Sequence, residues 1–411
     1  MSSNKPSATI TPPMTLLAKH RVIFSIGVAL LVIIAGLIAI FWARGFKPNL
    51  QTGEIKRTGL IVASSTPTGA SVYLNDRLTS ATNTNIAFLD PGIYKVRIQK
   101  DGYSTWEKEI LVREDLATEI KALLFPLAPE IKPLTSTGAF NPTISPSNSK
   151  IVFGVPNETG GVFVLPLVDS PFAFRQNQRQ LAKNQGNFDF SKAKFIWNPN
   201  SEEFIARFEE ESNQTNNNIN TPSIANILLN SQDTDQPLRD ITASLKSTLS
   251  SWSNLIEEQA KNLSILAPDE VKQSTAEAGL DISNKQFSSA NLVNYYPNGL
   301  VFSPDEKKIL YWHKEGNYRI YDLNQKVDIA LPQFTDLVNI SWYPDSDHLV
   351  VAQKDQISII EADGKNKITV FSGKFENGFV FAHPNGLRLI LLTSLTQPES
   401  TPPNLYSINL K

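Results

Sequence analysis

The chain of 411 residues has no cysteine, which excludes disulfide scaffolds, thiolate metal sites and cysteine nucleophiles. Histidine is scarce: only His20, His313, His348 and His383 occur, and no H-x-x-x-H or H-E-x-x-H spacing joins them, so a zincin-type zinc site is excluded. A G-x-S-x-G elbow, a P-loop and a G-x-G-x-x-G fingerprint are also missing. Neither sign of charge is in excess. The 38 basic and 40 acidic residues leave a formal charge of −2, so no basic surface speaks for a nucleic-acid partner.

What is present begins with residues 22–43, VIFSIGVALLVIIAGLIAIFWA, an uncharged and mostly apolar run of 22 residues. As a helix it spans roughly 33 Å, close to the ~30 Å hydrocarbon core of a bilayer. Lys19, His20 and Arg21 precede it, and Arg44 and Lys47 follow it. A cleaved signal peptide has a shorter apolar region and small residues at its end; here the run ends in Ile40, Phe41, Trp42 and Ala43. The expectation is an uncleaved single-pass anchor with the lipid bilayer as partner of residues 22–43. Basic residues flank both sides and leave orientation open by charge alone. A short tail is the simpler part to keep inside, which places residues 44–411 on the extracytoplasmic side.

Along the chain, residues 1–21 read as a disordered tail and 44–57 as a juxtamembrane linker. The 26 prolines and 20 glycines announce many turns and short strands. In 69–75, Ala70, Val72 and Leu74 alternate with Ser71, Tyr73 and Asn75; in 92–99, Tyr94, Val96 and Ile98 alternate with Lys95, Arg97 and Gln99. Both have the period of half-buried strands. With Asn75-Asp76 and Asp101-Gly102 as turns, and 106–112 as a further strand, residues 58–126 read as a small antiparallel β-sandwich of five or six strands.

This segment resembles the PEGA domain family. The family's Pro-Glu-Gly-Ala motif stands here as Pro67-Thr68-Gly69-Ala70, and its later elements as Pro91-Gly92, Tyr94, Val96, Lys100, Gly102 and Tyr103. The departure is Thr68 in place of Glu. The resemblance implies a non-catalytic envelope module, found beside membrane anchors or other extracytoplasmic domains. Tyr94, Tyr103 and Trp106 read as core packing rather than a carbohydrate platform.

From 127 to 411 a degenerate repeat follows: 145–153, 198–206, 303–312, 343–351 and 383–391, with prolines at 146, 199, 304, 344 and 384. Each is trailed by a second apolar run, at 161–167, 225–230, 318–323, 356–360 and 404–410. Proline steps of 53, 105, 40 and 40 point to β-propeller blades, five or six in number. SPDEKKILYW with YRIYDL makes the repeat similar to TolB-like and WD-like propellers. The long step holds a polar loop at 207–223 and a helical insertion around 236–285. There Leu238, Ile241, Leu245, Leu249, Trp252, Ile256, Ala260 and Leu263 recur every three or four residues. Asp240 is the expected cap and Pro268 the stop, with a second short helix over 269–279. The stripe either packs on the propeller, the favoured reading, or meets a partner.

No residue qualifies as catalytic, cofactor-binding or metal-binding, and no cofactor is expected. The two S-x-x-K matches, Ser147/Lys150 and Ser191/Lys194, lack S-D-N and K-T-G companions. Asp305 and Asp345, each following a repeat proline, read as turn carboxylates. Glu202, Glu203 and Glu209–Glu211 read as a solvated cluster, and Trp312, Trp342 and Tyr343 as propeller core. The expected whole is mainly β and bacterial: a non-enzymatic, membrane-anchored cell-surface protein whose propeller binds an envelope protein, peptide or cell-wall glycan. An envelope hydrolase or lyase with an acid–base pair in propeller loops, and a purely structural spacer, stay open as alternatives.

Overall fold

In a computed structural model, residues 16–43, 46–48, 55–167, 178–209, 224–277, 300–376, 378–395 and 402–411 are described. They form two compact units: Met1–Asp101 with Thr105–Leu124, and Gly102–Ser104 with Phe125–Lys411.

The first unit opens with helix α1 (Leu16–Ala43), which therefore starts inside the segment expected to be disordered; residues 1–15 of that tail lie outside the described residues. Side chains are described for 24–40 of α1, and all of them are exposed. Among the described residues no helix is long and apolar enough to cross a membrane, so these residues do not by themselves supply the span expected over 22–43. The linker is not plain coil. Strands β1 (Phe46–Pro48) and β2 (Ile55–Arg57) pair antiparallel, with Phe46 opposite Arg57.

Seven strands follow: β3 (Gly59–Thr66), β4 (Ser71–Leu74), β5 (Arg77–Ala81), β6 (Thr84–Leu89), β7 (Gly92–Gln99), β8 (Trp106–Val112) and β9 (Ala117–Leu123). They build a four-stranded sheet in the order β5-β4-β7-β8 and a three-stranded sheet in the order β6-β3-β9. The alternation in sequence decides the inner face: Ala70, Val72, Val96, Ile98 and Trp106 are buried, as are Ile61, Ala63, Ile120 and Ala122 of the facing sheet. The expected all-antiparallel sandwich needs correction, because β3 and β9 run parallel, Leu60 opposite Ala117 through Thr66 opposite Leu123. Asn75 and Asp76 take left-handed φ values of 49° and 64°, the geometry of a two-residue hairpin turn.

The second unit starts with β10 (Ile131–Pro133) and then repeats one pattern. Blade one is β11 (Phe140–Ile144), β12 (Lys150–Val155), β13 (Gly161–Pro166) and β14 (Arg179–Lys183). Blade two is β15 (Lys194–Trp197), β16 (Glu203–Glu209), β17 (Ile224–Asn230) and β18 (Arg239–Asp240). After helices α2 (Leu245–Leu266) and α3 (Asp269–Glu277) comes blade three: β19 (Val301–Phe302), β20 (Lys308–His313), β21 (Asn317–Asp322) and β22 (Val327–Ala330). Blade four is β23 (Leu337–Trp342), β24 (His348–Gln353), β25 (Gln356–Glu361) and β26 (Ile368–Ser372). Blade five joins β27 (Val380–Ala382), β28 (Arg388–Thr393) and β29 (Asn404–Asn409) to β10, in the order β10-β29-β28-β27. Five consecutive four-stranded antiparallel sheets, the last completed by the first strand, make a five-bladed β-propeller. All five repeat motifs fall on the first turn and second strand of a blade, and each trailing run falls on the third strand.

Neighbouring blades share apolar clusters. Val152, Val162 and Val164 of blade one meet Phe195, Trp197, Phe204 and Ile227 of blade two. Ile151, Phe153 and Leu165 meet Ile390, Leu392 and Leu405 of blade five. The insertion lies between blades two and three, and its first segment corrects the expected helix. Residues 239–240 are the outer strand of blade two and Thr242–Ser244 is a 3-10 turn, so α2 begins only at Leu245. Asp240 accepts hydrogen bonds from Thr242 N (2.8 Å) and Oγ1 (2.6 Å) and does not cap α2. Trp252 and Ile241 are buried against Ile196 and Ile205 of blade two, while Ala267 and Val271 pack with Phe302, Ile309 and Tyr311 of blade three. Residues 210–223 of the polar loop and 278–285 of the insertion lie outside the described residues.

Candidate functional site

Antiparallel order fixes two ends for each blade. The turn from first to second strand, where each repeat proline sits, shares one end with the turn from third to fourth. The hairpin from second to third strand shares the other end with the connection to the next blade.

At the proline end, the second residue after each proline is Asn148, Ser201, Glu306, Ser346 or Gly386, with φ of 55°, 63°, 58°, 64° and 64°. These left-handed turns are linked from blade to blade. Ser147 N donates to Ser201 Oγ (3.0 Å), and at the equivalent place Asp305 N donates to Ser346 Oγ (3.0 Å). Lys150 Nζ donates to Ser201 O (3.1 Å) and Ser231 Oγ (2.8 Å). Lys308 Nζ repeats this on Ser346 O (3.1 Å) and Asp347 Oδ1 (2.8 Å). Between blades four and five, the Tyr343 hydroxyl donates to Gly386 O. Burial and the nearby Arg179 guanidinium hold the Lys150 ammonium below its usual value.

The carboxylates of these turns are used locally. Asp305 Oδ1 accepts from Ser303 Oγ (2.7 Å) and Lys307 N (3.2 Å). Asp345 Oδ1 accepts from Asp347 N (2.9 Å) and His348 N (3.0 Å). His348 Nδ1 lies 2.7 Å from Asp345 Oδ2, and its Nε2 lies 3.9 Å from Glu361 Oε1. Burial alone raises the Asp345 carboxyl, but the His348 ring and the two turn N–H groups outweigh it and hold the group below the usual range. Phe125 and Tyr343 set their edges against the His348 ring at centroid distances of 6.0 and 6.2 Å. Only the Asp345 contact is at hydrogen-bond distance, and His348 is 4% exposed, which leaves its ring closed to a substrate.

The other sequence candidates sit elsewhere. His383 is buried and its Nδ1 accepts from Asn385 N (3.3 Å) in blade five. His313 lies on the second hairpin of blade three, where Nδ1 accepts from Glu315 N (3.2 Å). Around it Tyr311 donates to Asp328 (2.9 Å), Arg319 pairs with Asp328 (2.9 Å), and Lys314 pairs with Glu277 of α3 (3.0 Å). Burial and Asp328 push the Tyr311 phenol up, and Lys314 holds Glu277 down. This network seats α3 on the hairpin end of blade three. The S-x-x-K pairs do not form: Ser191 Oγ donates to Asp189 (2.7 Å) and Lys194 pairs with Glu209 (2.9 Å). Glu209 is thus an ion-pair partner rather than part of a free acidic cluster; Glu210 and Glu211 lie outside the described residues. Trp342 Nε1 donates to Val301 O (2.8 Å), and Trp312 meets Tyr318 edge to face at 4.7 Å, both within propeller packing. Among the described residues no group of three or more His, Asp or Glu could hold a metal ion. Sequence reading missed Glu361, Phe125 and the serine links; the one available signal was the turn-tolerant residue two places after each proline.

Comparison with known proteins places the first unit. Residues 58–126 match the PEGA domain. No curated protein matches the chain. A TolB candidate from Agrobacterium tumefaciens is 13% identical, covering 69% of this chain and 84% of that one, with a TM-score of 0.24. An oligogalacturonate lyase from Vibrio parahaemolyticus is 8% identical, covering 86% and 98%, with a TM-score of 0.28. The β-propeller domain of Cps50 (Swd1) from Myceliophteria thermophila is 12% identical, covering 67% and 73%, with a TM-score of 0.19. The propeller assignment rests on the five sheets and their closure, not on these likenesses.

Proposed function

We propose that the chain is a non-enzymatic surface protein held in the cell membrane by a single N-terminal helix, with residues 44–411 extracytoplasmic. In this reading the PEGA domain is a stalk module and the propeller is a binding module for an envelope protein, peptide or glycan. One observation carries it: every described side chain of α1 is exposed, among them Phe24 (74%), Leu31 (67%) and Ile33 (62%). A helix with apolar side chains all round and no protein cover needs lipid or another chain around it. The stretch with described side chains, 24–40, covers roughly 25 Å at 1.5 Å per residue. The anchor therefore requires the whole apolar run of 22–43. A PEGA domain directly after such a helix, and a propeller that presents loops on a rigid scaffold, fit the stalk and binding roles.

The test is extraction of the full chain from membranes with alkaline carbonate, combined with protease added to intact cells. Retention in the pellet with digestion of the bulk of the chain is expected; release into the supernatant refutes the anchor, and full protection refutes the orientation. Capture of a defined envelope polymer or protein by the membrane-extracted chain supports the binding role. Turnover of a glycan or peptide, lost on changing one loop carboxylate, would replace it with the enzyme reading.

A further inference from the structure

One end of the PEGA unit carries large apolar side chains that stay about half or more exposed among the described residues. Phe88 (47% exposed), Ile93 (67%) and Leu111 (51%) lie at the ends of β6, β7 and β8, and Leu116 (54%) directly precedes β9. The register places all four positions at one end of the sandwich. Gly59 pairs with Leu89, Ile93 with Leu111, and Leu60 with Ala117. Leu60 N donates to Leu116 O (3.1 Å), and a Cβ on Gly59 would touch Val112 and Arg113. Phe88 sits where the β3–β6 register shifts and has a φ of 60°. That backbone region is unfavourable for an aromatic residue, and bulges of this kind re-aim a side chain.

This end is also where the chain arrives from α1. Residues 44–58 as an open linker would allow a reach of roughly 58 Å. The pairing of Phe46 with Arg57 short-circuits it, leaving a path from Ala43 to Gly59 of at most roughly 24 Å. The charges around the apolar tips nearly cancel, leaving a net −1: Arg57 pairs with Asp115 at 2.8 Å, and Arg113 stands beside Glu114 with Asp90 nearby in the same group of turns. Such a surface suits an uncharged or zwitterionic interface.

We infer that Phe88, Ile93, Leu111 and Leu116 dock the PEGA domain onto the outer leaflet of the membrane that holds α1. The inference rests on the anchor reading. The tips sit at the boundary between headgroups and acyl chains, as amphipathic surfaces do, and the domain is held against the bilayer rather than free on its tether.

The absence of native cysteine permits a direct test with the full chain in phosphatidylcholine vesicles. Ile93→Cys, Leu116→Cys and, at the opposite end of the sandwich, Thr68→Cys each carry an environment-sensitive fluorophore. Expected are a blue shift and loss of most emission with spin-labelled lipid at 93 and 116, and neither at 68. Adding Phe88→Asp to the Leu116→Cys protein is expected to abolish the signal at 116; Asp tolerates the left-handed backbone better than Phe, so the fold is kept. If the chain stays in carbonate-washed vesicles while 93 and 116 behave like 68, docking is refuted and the anchor stands. A blue shift without quenching by lipid, growing with protein density, overturns docking in favour of contact between copies. Release by carbonate overturns both readings.

Discussion

Trp252 tests whether the insertion is an integral part of the propeller. Its side chain is 4% exposed and sits among Ile196, Ile205 and Ile241. A buried tryptophan removes about 150–250 Å² from water, which at ~25 cal/mol per Å² is an upper bound of about 4–6 kcal/mol. Truncations of buried aromatic residues cost about 3–5 kcal/mol. Trp252→Ala is therefore expected to destabilise the docked helix by about 3 kcal/mol or more. Because α2 abuts blade two through Trp252 and the following segment abuts blade three through Ala267 and Val271, the loss should spread to both blades. Hydrogen exchange read by mass spectrometry should show faster exchange over 245–266 and in β16 and β20, with slower change in blade five. The global melting temperature should fall by roughly 6–12 °C, taking about 2–4 °C per kcal/mol for domains of this order. Unchanged exchange in α2 together with an unchanged melt would refute the packing argument and return the helix to the role of a partner-binding arm.

Three further outcomes follow from geometry. Gly154→Ala puts a Cβ 2.0 Å from Phe190 O and 2.7 Å from Ser191 N; both are backbone atoms that cannot swing aside, so a loss of about 3 kcal/mol or more is expected in chemical denaturation. Thr135 Oγ1 donates to Asn404 Oδ1 (2.9 Å) and accepts from Leu405 N (2.9 Å); Thr135→Val leaves both without that partner where the propeller closes, and should cost about 1–3 kcal/mol, with exchange in β29 rising first. The folded-state pKa of Asp345 is depressed, so its contribution is present above the unfolded value of about 3.9 and is lost as pH falls through the lower folded value. Acid titration of the melting temperature below about pH 4 should accordingly be steeper for the native chain than for Asp345→Asn.

The features that could be read from sequence were those decided by local chemistry. A proline, a turn-tolerant residue two places later and an apolar run decide a turn and a strand without help from distant residues, which is why the second and third strands of all five blades were in place. The same holds for Ala70, Val72, Val96 and Ile98. Features that depend on distant pairing were out of reach. The parallel match of β3 to β9 joins segments 57 residues apart, Leu60 to Ala117, and a period of two reads the same in either direction. Leu238 and Ile241 keep helical spacing with Leu245, yet pairing of Arg239 with Leu228 draws that stretch into the sheet. For the site, the isolated Asp345 turn role was legible; the Glu361 and Phe125 contacts with the same imidazole were not, since nothing in sequence brings 125, 348 and 361 together.

The way the blades are tied together also bears on where a ligand can sit. At the proline end, Lys150, Lys308, Ser201, Ser346 and Tyr343 spend their polar groups on neighbouring turns, and Asp305 and Asp345 spend theirs within their own turns. A group already bonded within the fold has less to offer an incoming molecule, because binding would have to replace a bond it breaks. At the hairpin end the insertion is seated through Ser274 and Glu277 on the 313–317 hairpin, and the hairpin of 353–356 exposes Lys354 and Asp355. Under the proposed binding role, recognition is expected at the hairpin end. Lys354→Ala with Asp355→Ala should lower capture of an envelope partner by roughly five-fold or more, the equivalent of about 1 kcal/mol, while Lys307→Ala at the proline end should leave it unchanged. The reverse pattern would mean that the linked turns, rather than the hairpins, form the binding face.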